Sequence, residues 1–370
     1  MAEGRTFAPA APRVFTGGEI KQPGAKYANS FCVLITMSKR LKLALIGAGH
    51  MGKLHAQAIA ERPDAQLVAV CDIDVARAAA VAGPAGAQVE TDPSRLAGRV
   101  DAAVIAAATS VHGDVAVPLM KAGIAVLLEK PVAGTAAEAS AIADAARRTG
   151  VVAQAGHILR FDPVTRAITG LGLRPRYIEV SWVAPFSFRS LDVGVVMDLM
   201  IHGLDVVLHL AGGMPERIDA VGGVVVGPHE DFVNVRLVFP GPVRPPVLGG
   251  GCVATLAASR MSRTRQRVVR LFCEGTYLKL DYGARTVERV TVRPGLAEAV
   301  RSGQPPAGGM QGLVAVEKLP VEDRPDALRA QLASFIEAVR GEHPPAVTLD
   351  DGARAVEVAE RIIQAVANPK

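Results

Sequence analysis

Three groups of residues have types and spacings suited to chemistry. Gly47, Gly49 and Gly52 form a G-x-G-x-x-G directly after the apolar run Leu41–Ile46 and before a stretch of helix-forming residues. In such a turn the first glycine permits a tight bend and the second lets backbone amides approach a pyrophosphate. The third allows close packing of the helix. Free N–H groups and the helix dipole then hold anionic phosphates. Asp72 ends the next apolar run, 20 residues beyond Gly52. A carboxylate there accepts a hydrogen bond from a ribose 2′-OH and repels a 2′-phosphate, which points to NAD rather than NADP. A bare structural turn is the bland alternative for the glycines.

The second group is Glu129-Lys130-Pro131, at the end of the apolar run that closes on Leu128. In open α/β sheets ligands sit beyond the carboxyl ends of strands, where Lys130 falls. Desolvation and a neighbouring nicotinamide charge would lower its pKa, so it could orient a hydroxyl or relay its proton. Taken alone, a Lys-Pro after a strand is an ordinary surface turn. The third group is Asp198 and His202, four apart on one helix face, with Asp205 three further on. A carboxylate beside a histidine fixes its tautomer and supports the imidazolium, as a general base for alcohol oxidation requires. A core histidine satisfied by an acid is the alternative. One histidine and two acids make a thin metal site, and no metal is expected.

The elements that must position these residues alternate. Leu41–Ile46, Gln66–Cys71, Asp101–Ala107, Ile124–Leu128 and Val151–Gln154 read as buried strands. His50–Arg62, Val75–Val81, His112–Ala122 and Ala136–Arg148 read as helices between them. This implies an α/β fold whose first half, residues 37–157, is a doubly wound parallel Rossmann sheet binding NAD. In 158–370 the texture turns to strand: Tyr177–Val183, Ala220–Val226, Val233–Phe239, Val253–Ser259, Val268–Phe272 and Tyr277–Asp281. One helix, Val195–Leu210, interrupts them. Two more close the chain, Arg329–Val339 and Gly352–Ala367, with a Gly/Pro-rich loop over 293–312. The second half is thus a substrate-binding and oligomerisation α/β domain on a large open, mostly antiparallel sheet. Residues 1–36 lack periodicity and read as a flexible tail. Met37 is expected to be the natural start, with an organellar transit peptide as the weaker alternative.

The order of the groups matters as much as their content. GAGHMGKLHA, CDID, ATSVHGDVAVPLMKAGIAVLLEKPVAGTAAEA, GHILRFDP and DLMIHGLDVV resemble the Gfo/Idh/MocA family of sugar and cyclitol oxidoreductases over Leu41–Ala367. The resemblance implies a substrate pocket between the two halves, and Lys130, Asp198 and His202 fall on the family's catalytic positions. It implies a cis Lys130-Pro131 bond and an open sheet that makes an oligomer interface, a dimer or tetramer. It extends the cofactor set from the glycines and Asp72 to His50, Met51, Thr109, His112, Glu129 and Lys130. Within the family, GHILRFDP, DVGVVMDLMIHGLDVVL, ASRMS and the C-terminal VEKLPVEDRPDALRAQLASFIEAVRG resemble nucleotide-sugar 3-dehydrogenases that oxidise UDP-N-acetylglucosamine. Gly203 departs from related sequences that carry Asp there, so a carboxylate is missing beside His202.

Arg260, Arg263, Arg265, Arg267 and Arg270 crowd eleven residues, and Arg160 and Arg189 flank the expected pocket as substrate contacts. If 263–269 is a strand, Arg263, Arg265 and Arg267 share one face, and arginine forks suit a diphosphate. A solvated strand face is the plain alternative. Nucleic acid is not expected as a partner: net charge is +5, of which the tail carries +2, and Trp182 is the only tryptophan available for stacking on bases. No apolar run reaches a membrane span. The four cysteines form no C-x-x-C pair, which suits reduced thiols and a cytoplasmic protein. The reading is an NAD-dependent dehydrogenase of a sugar hydroxyl. A free-sugar or inositol dehydrogenase is the near alternative, and a catalytically silent NAD sensor the distant one.

Overall fold

A computed structural model of the chain describes residues 40–187, 193–241, 251–293, 295–303, 313–322 and 324–368. The expected tail and Arg189 lie outside the described residues. The first sheet contains β1 (Leu41–Ile46), β2 (Ala65–Cys71), β3 (Gln88–Glu90), β4 (Ala102–Ile105), β5 (Ala125–Glu129) and β6 (Ala153–Gly156). All pairs are parallel, in the order β3-β2-β1-β4-β5-β6. β4 and β5 are buried at every residue, as required of strands covered on both faces. Helices α1 (His50–Ala60) and α2 (Val75–Ala82) cover one face, while α3 (His112–Lys121) and α4 (Ala136–Thr149) cover the other.

The short helix α5 (Pro163–Arg166) leads to the second sheet: β7 (Tyr177–Val183), β8 (Arg217–Gly223), β9 (Phe232–Phe239), β10 (Cys252–Ser259), β11 (Gln266–Cys273), β12 (Thr276–Asp281), β13 (Thr286–Val292) and β14 (Val314–Leu319). Their order is β14-β13-β12-β11-β7-β10-β9-β8, antiparallel except for the β7–β10 pair. β7 buries Ile178, Val180 and Trp182 and turns Tyr177, Glu179, Ser181 and Val183 to the half-covered face. This period of two is the mark of a sheet packed on one side. Helices α6 (Ile201–Ala211), α7 (Leu296–Ser302), α8 (Ala327–Val339) and α9 (Leu349–Ala367) complete the chain. α8 returns to the first sheet, where Leu332, Phe335 and Ile336 are fully buried beside α1 and β1. Although 158–370 reads as one segment, α8 belongs by packing to the first core.

Several features differ from the sequence reading, among them the short strand β3 and the helix α7, which falls where a loop was expected over 293–312. β8 ends at Gly223, and Val224–Val226 form an exposed turn whose Val225 and Val226 amides donate to Asp231 Oδ2 at 2.7 Å each. A valine run imitates a strand, but the carboxylate supplies the hydrogen bonds that a ladder would. β13 and β14 extend the sheet past Asp281. Their half-exposed residues on both faces blur the alternation that reveals the other strands. Finally, the helix expected over Val195–Leu210 begins as a π-helical turn, Val196–Met200, before α6. No helix among the described residues is long and apolar enough to cross a membrane.

Candidate active site

The glycine turn has the shape its spacing requires. Gly47 has φ +92°, a conformation that suits glycine, and its amide donates to Cys71 O at 2.8 Å. A Cβ on Gly52 would lie 2.0 Å from Gly47 O, whereas nothing lies within 4 Å of a Cβ built on Gly49. Asp72 accepts from the Ala48 amide at 2.7 Å and the Asp74 amide at 2.9 Å, tying the end of β2 to the turn. Lone pairs remain on both oxygens for ribose hydroxyls. Helices α2, α4, α8 and α9 are capped by the side chains of Asp74, Thr135, Asp326 and Thr348, but α1 has neither a capping side chain nor an acid in its first turn. Its amides are left for an anion. The turn therefore fits a dinucleotide pyrophosphate, with Asp72 on the ribose. His50 is exposed at the start of α1, and Met51 is half-buried against the core.

Lys130 follows β5, at the carboxyl end of the sheet, and the Lys130-Pro131 peptide is cis. Two buried histidines brace this corner. His55 of α1 meets Glu129 at 2.7 Å, with Glu129 also accepting from the Lys130 amide at 3.2 Å. His112 faces Ala107 O at 3.2 Å and Val132 O at 3.3 Å, joining the β4–α3 turn, which opens at Thr109, to the lysine turn. Glu129 and His112 thus brace the turn that carries Lys130. Their own polar atoms are already engaged with protein.

Lys130 reaches the π-helical turn, where its Nζ donates to Asp198 O at 3.0 Å and lies 3.8 Å from Asp198 Oδ1. Burial lowers the Lys130 pKa, and the Asp198 and Glu129 carboxylates counter part of that. The sequence reading had Asp198 orient His202 or the substrate; the structure pairs it, from within the π-helical turn, with Lys130. His202 instead stacks on Trp182, ring centroids 6.1 Å apart and planes 29° apart, and its Nδ1 is enclosed without a partner. Burial first, then the charges of Lys130, His157 and Arg267, hold its pKa well below the ordinary histidine value. The ring is therefore neutral at pH 7 and able to accept a proton. It is not the carboxylate-supported imidazolium expected from spacing.

Other expected residues are already paired. Arg160 forks onto Asp205 at 2.8 and 3.2 Å, with side chains 9% and 2% exposed, so its charge joins the end of the first sheet to α6 rather than facing the pocket. The same pair removes Asp205 from His202. Gly203 packs against the second sheet, and a Cβ there would come 2.7 Å from Val180 Cγ1. The position points away from His202, so the absent carboxylate is a packing necessity. Within the arginine cluster, β11 starts only at Gln266, so Arg263 and Arg265 precede the strand and share no strand face with Arg267. Arg260 donates to Val193 O at 2.6 Å and braces the segment before the π turn, and Arg270 donates to Glu179 at 2.6 Å.

Two residues at the site went unselected in the sequence. Trp182, recognised only as the lone tryptophan, is the surface against which His202 stacks; its place among the alternating residues of β7 was the available signal. His157, inside GHILRFDP, is buried with both ring nitrogens enclosed and unpartnered. Periodicity carries no trace of that. Among the described residues no grouping of His, Cys, Asp and Glu could hold a metal ion.

A glycine turn with free helix amides, an acid at the end of the next strand, and a buried lysine and histidine suit an NAD-dependent dehydrogenase of the CH–OH type. The model of the oxidoreductase family with the NAD-binding Rossmann fold matches residues 41–157, and that of the GFO/IDH/MocA C-terminal domain matches 174–278. The chain belongs to the GFO/IDH/MocA family. It is 34% identical over 306 residues to UDP-N-acetylglucosamine 3-dehydrogenase of Acidithiobacillus ferrooxidans, covering 82% of this chain and 90% of that protein. It is 32% identical over 213 residues to inositol 2-dehydrogenase of Rhizobium meliloti, covering 54% and 64%. The solved structure of the A. ferrooxidans enzyme superposes with a TM-score of 0.76 at 33% identity, covering 88% of this chain and 98% of that one.

Proposed function

We propose that the protein oxidises a secondary hydroxyl of a sugar, C3 of UDP-N-acetylglucosamine or a related nucleotide sugar. The observation that carries this reading is Lys130, beyond β5, joined to Asp198, with its charge acting on the buried His202 ring. The similarity to the UDP-N-acetylglucosamine 3-dehydrogenase supports the choice of sugar. When bound, NAD accepts the hydride. His202, neutral and stacked on Trp182, takes the hydroxyl proton. Lys130 donates a hydrogen bond to the same oxygen and stabilises the charge that develops there. Asp198 positions Lys130 and holds its charge. Gly47, Gly49, Gly52 and the amides of α1 hold the pyrophosphate, and Asp72 the ribose.

Inositol 2-dehydrogenases are also among the relatives, one at 32% and another at 40% identity over about half of this chain, so a cyclitol is the second reading. Purified protein with NAD and a panel of UDP-sugars, free N-acetylglucosamine and inositols decides between them by NADH absorbance. NADH formed with UDP-N-acetylglucosamine supports the first reading, and NADH formed with inositol alone replaces it. We place the enzyme in the cytosol, since Cys71, Cys252 and Cys273 are free thiols. We assign self-association as a dimer or tetramer to the open face of the second sheet, which exposes Val221, Phe232, Phe272 and Val316. Sedimentation velocity measures it, and a monomer at all concentrations refutes it.

A further inference from the structure

The turn between β8 and β9 docks on the helix that carries Asp198. Asp231, fully buried, gathers the Val225, Val226 and Gly227 amides on Oδ2 at 2.7, 2.7 and 3.1 Å. Its Oδ1 lies 3.6 Å from Arg260 Nε. Folded back in this way, the turn delivers Glu230 to the start of the π-helical segment. Glu230 O accepts from the Val195 amide at 3.0 Å, and Glu230 Oε1 accepts from the Val196 amide at 3.2 Å. Arg260, the partner of Asp231, donates to Val193 O at 2.6 Å. The residues that open the helix are thus held by two neighbouring acids of one turn, Asp231 acting through Arg260.

The contact is also a close steric fit. A Cβ built on Gly194 would lie 1.9 Å from Glu230 Oε1 and 2.1 Å from Oε2, so the carboxylate fills the space of a side chain at 194. The first amides of a helix have no acceptor within it, and no side chain of this helix caps its own start. Glu230 supplies two acceptors there and a negative charge where the helix dipole is positive. Gly194 O in turn accepts from the Asp198 amide at 3.1 Å. The Glu230–Gly194 contact is therefore one hydrogen bond away from Asp198, whose carbonyl and carboxylate meet Lys130.

We infer that Glu230 is a positioning residue of the active site: interlocked with Gly194, it sets the π-helical turn so that Asp198 faces Lys130. The inference rests on the reading of Lys130, Asp198 and His202 as the oxidation site, and adds to it a residue from the far end of the second sheet. It also gives the β8–β9 turn a role, since Asp231 shapes the turn and Glu230 uses that shape.

The test compares wild type with Glu230→Ala and Glu230→Gln, each alone and combined with Asp198→Asn. With the sugar that the enzyme oxidises, Glu230→Ala should lower kcat by about 10- to 100-fold, as a displaced group near the chemistry does. It should also move the alkaline limb of kcat/KM toward neutral pH, as Asp198→Asn does. Glu230→Gln should recover most of kcat, because its amide oxygen still accepts from the Val196 amide. In the Asp198→Asn background Glu230→Ala should cost little more, since both changes act through one contact. Losses that multiply, or an alkaline limb that stays fixed, overturn the inference. If Glu230→Ala does not fold, Gly194→Ala takes its place, its methyl displacing the carboxylate; wild-type kinetics in that variant overturn the inference too. Where no sugar is oxidised, only the proposed reaction fails, and fluorescence decides the rest. Trp182 is the only tryptophan of the chain and stacks on His202, so its emission reports the set of this helix. Emission that shifts in Glu230→Ala and returns in Glu230→Gln supports the positioning role, and identical emission in all three proteins refutes it.

Discussion

The chemistry of this site depends on which of two bases is neutral. His202 is kept neutral by burial and by the cations around it, and Lys130 is pulled down by burial while Asp198 and Glu129 hold it up. If His202 accepts the proton, the acid limb of kcat/KM lies below the ordinary histidine value of about 6.5, because protonation is what removes the base. If Lys130 acts as the charged donor, activity falls as pH rises through its lowered pKa. Asp198→Asn removes the carboxylate 3.8 Å from Nζ and should move that alkaline limb further toward neutral pH, leaving the acid limb in place. An alkaline limb that stays fixed would separate Asp198 from Lys130. His202→Asn should lower kcat by about 10²- to 10⁴-fold with NAD affinity retained, as read by stopped-flow hydride transfer and nucleotide fluorescence.

At the scale of elements, the site depends on close approaches that only glycine allows. Gly52 sets α1 against the turn, so Gly52→Ala should weaken NAD binding, the added methyl meeting Gly47 O at 2.0 Å. Titration of NADH fluorescence measures this, and an unchanged Kd would show that the turn can relax. Gly203 sets α6 against β7. Gly203→Asp places a Cβ 2.7 Å from Val180 Cγ1 and a carboxylate among buried apolar side chains. The expected cost is about 2 kcal/mol or more of stability, read from a denaturant midpoint. A stable Gly203→Asp protein would mean that α6 can lift off the sheet. The π turn is the other element-level device. It lets one helical segment hand Asp198 to Lys130 and still present His202 to Trp182.

For the whole molecule, buried histidines tie stability to pH. His112, His157 and His202 are all held below their ordinary value by burial. The unfolded chain takes up protons near pH 6.5, the native state only below that. Under pH 6.5 the unfolded state therefore binds more protons, and stability falls as pH falls. The Tm should drop between pH 7.5 and 5.5 by scanning calorimetry, well above the range in which carboxylates titrate. A Tm that is flat or rises over this interval would show that these rings are charged in the native state.

Much of this was legible in the chain itself. Burial of short apolar runs, glycine turns between strand and helix, and alternation on β7 are local patterns, and the periods of strand and helix write them directly into sequence. The glycine turn, Asp72 and Lys130 were singled out this way, since each sits at the end of a strand, and His202 by its spacing from Asp198 along one helix. Tertiary structure decided who partners whom. Asp198 turns to Lys130, Asp205 to Arg160 and Arg270 to Glu179, because side chains from different elements compete for each charge and only packing ranks the competitors. Spacing along one helix places Asp198, His202 and Asp205 close together. What it cannot encode is that Arg160 comes from 45 residues before Asp205 and Lys130 from 68 before Asp198, or that Trp182 arrives from the sheet to stack on His202.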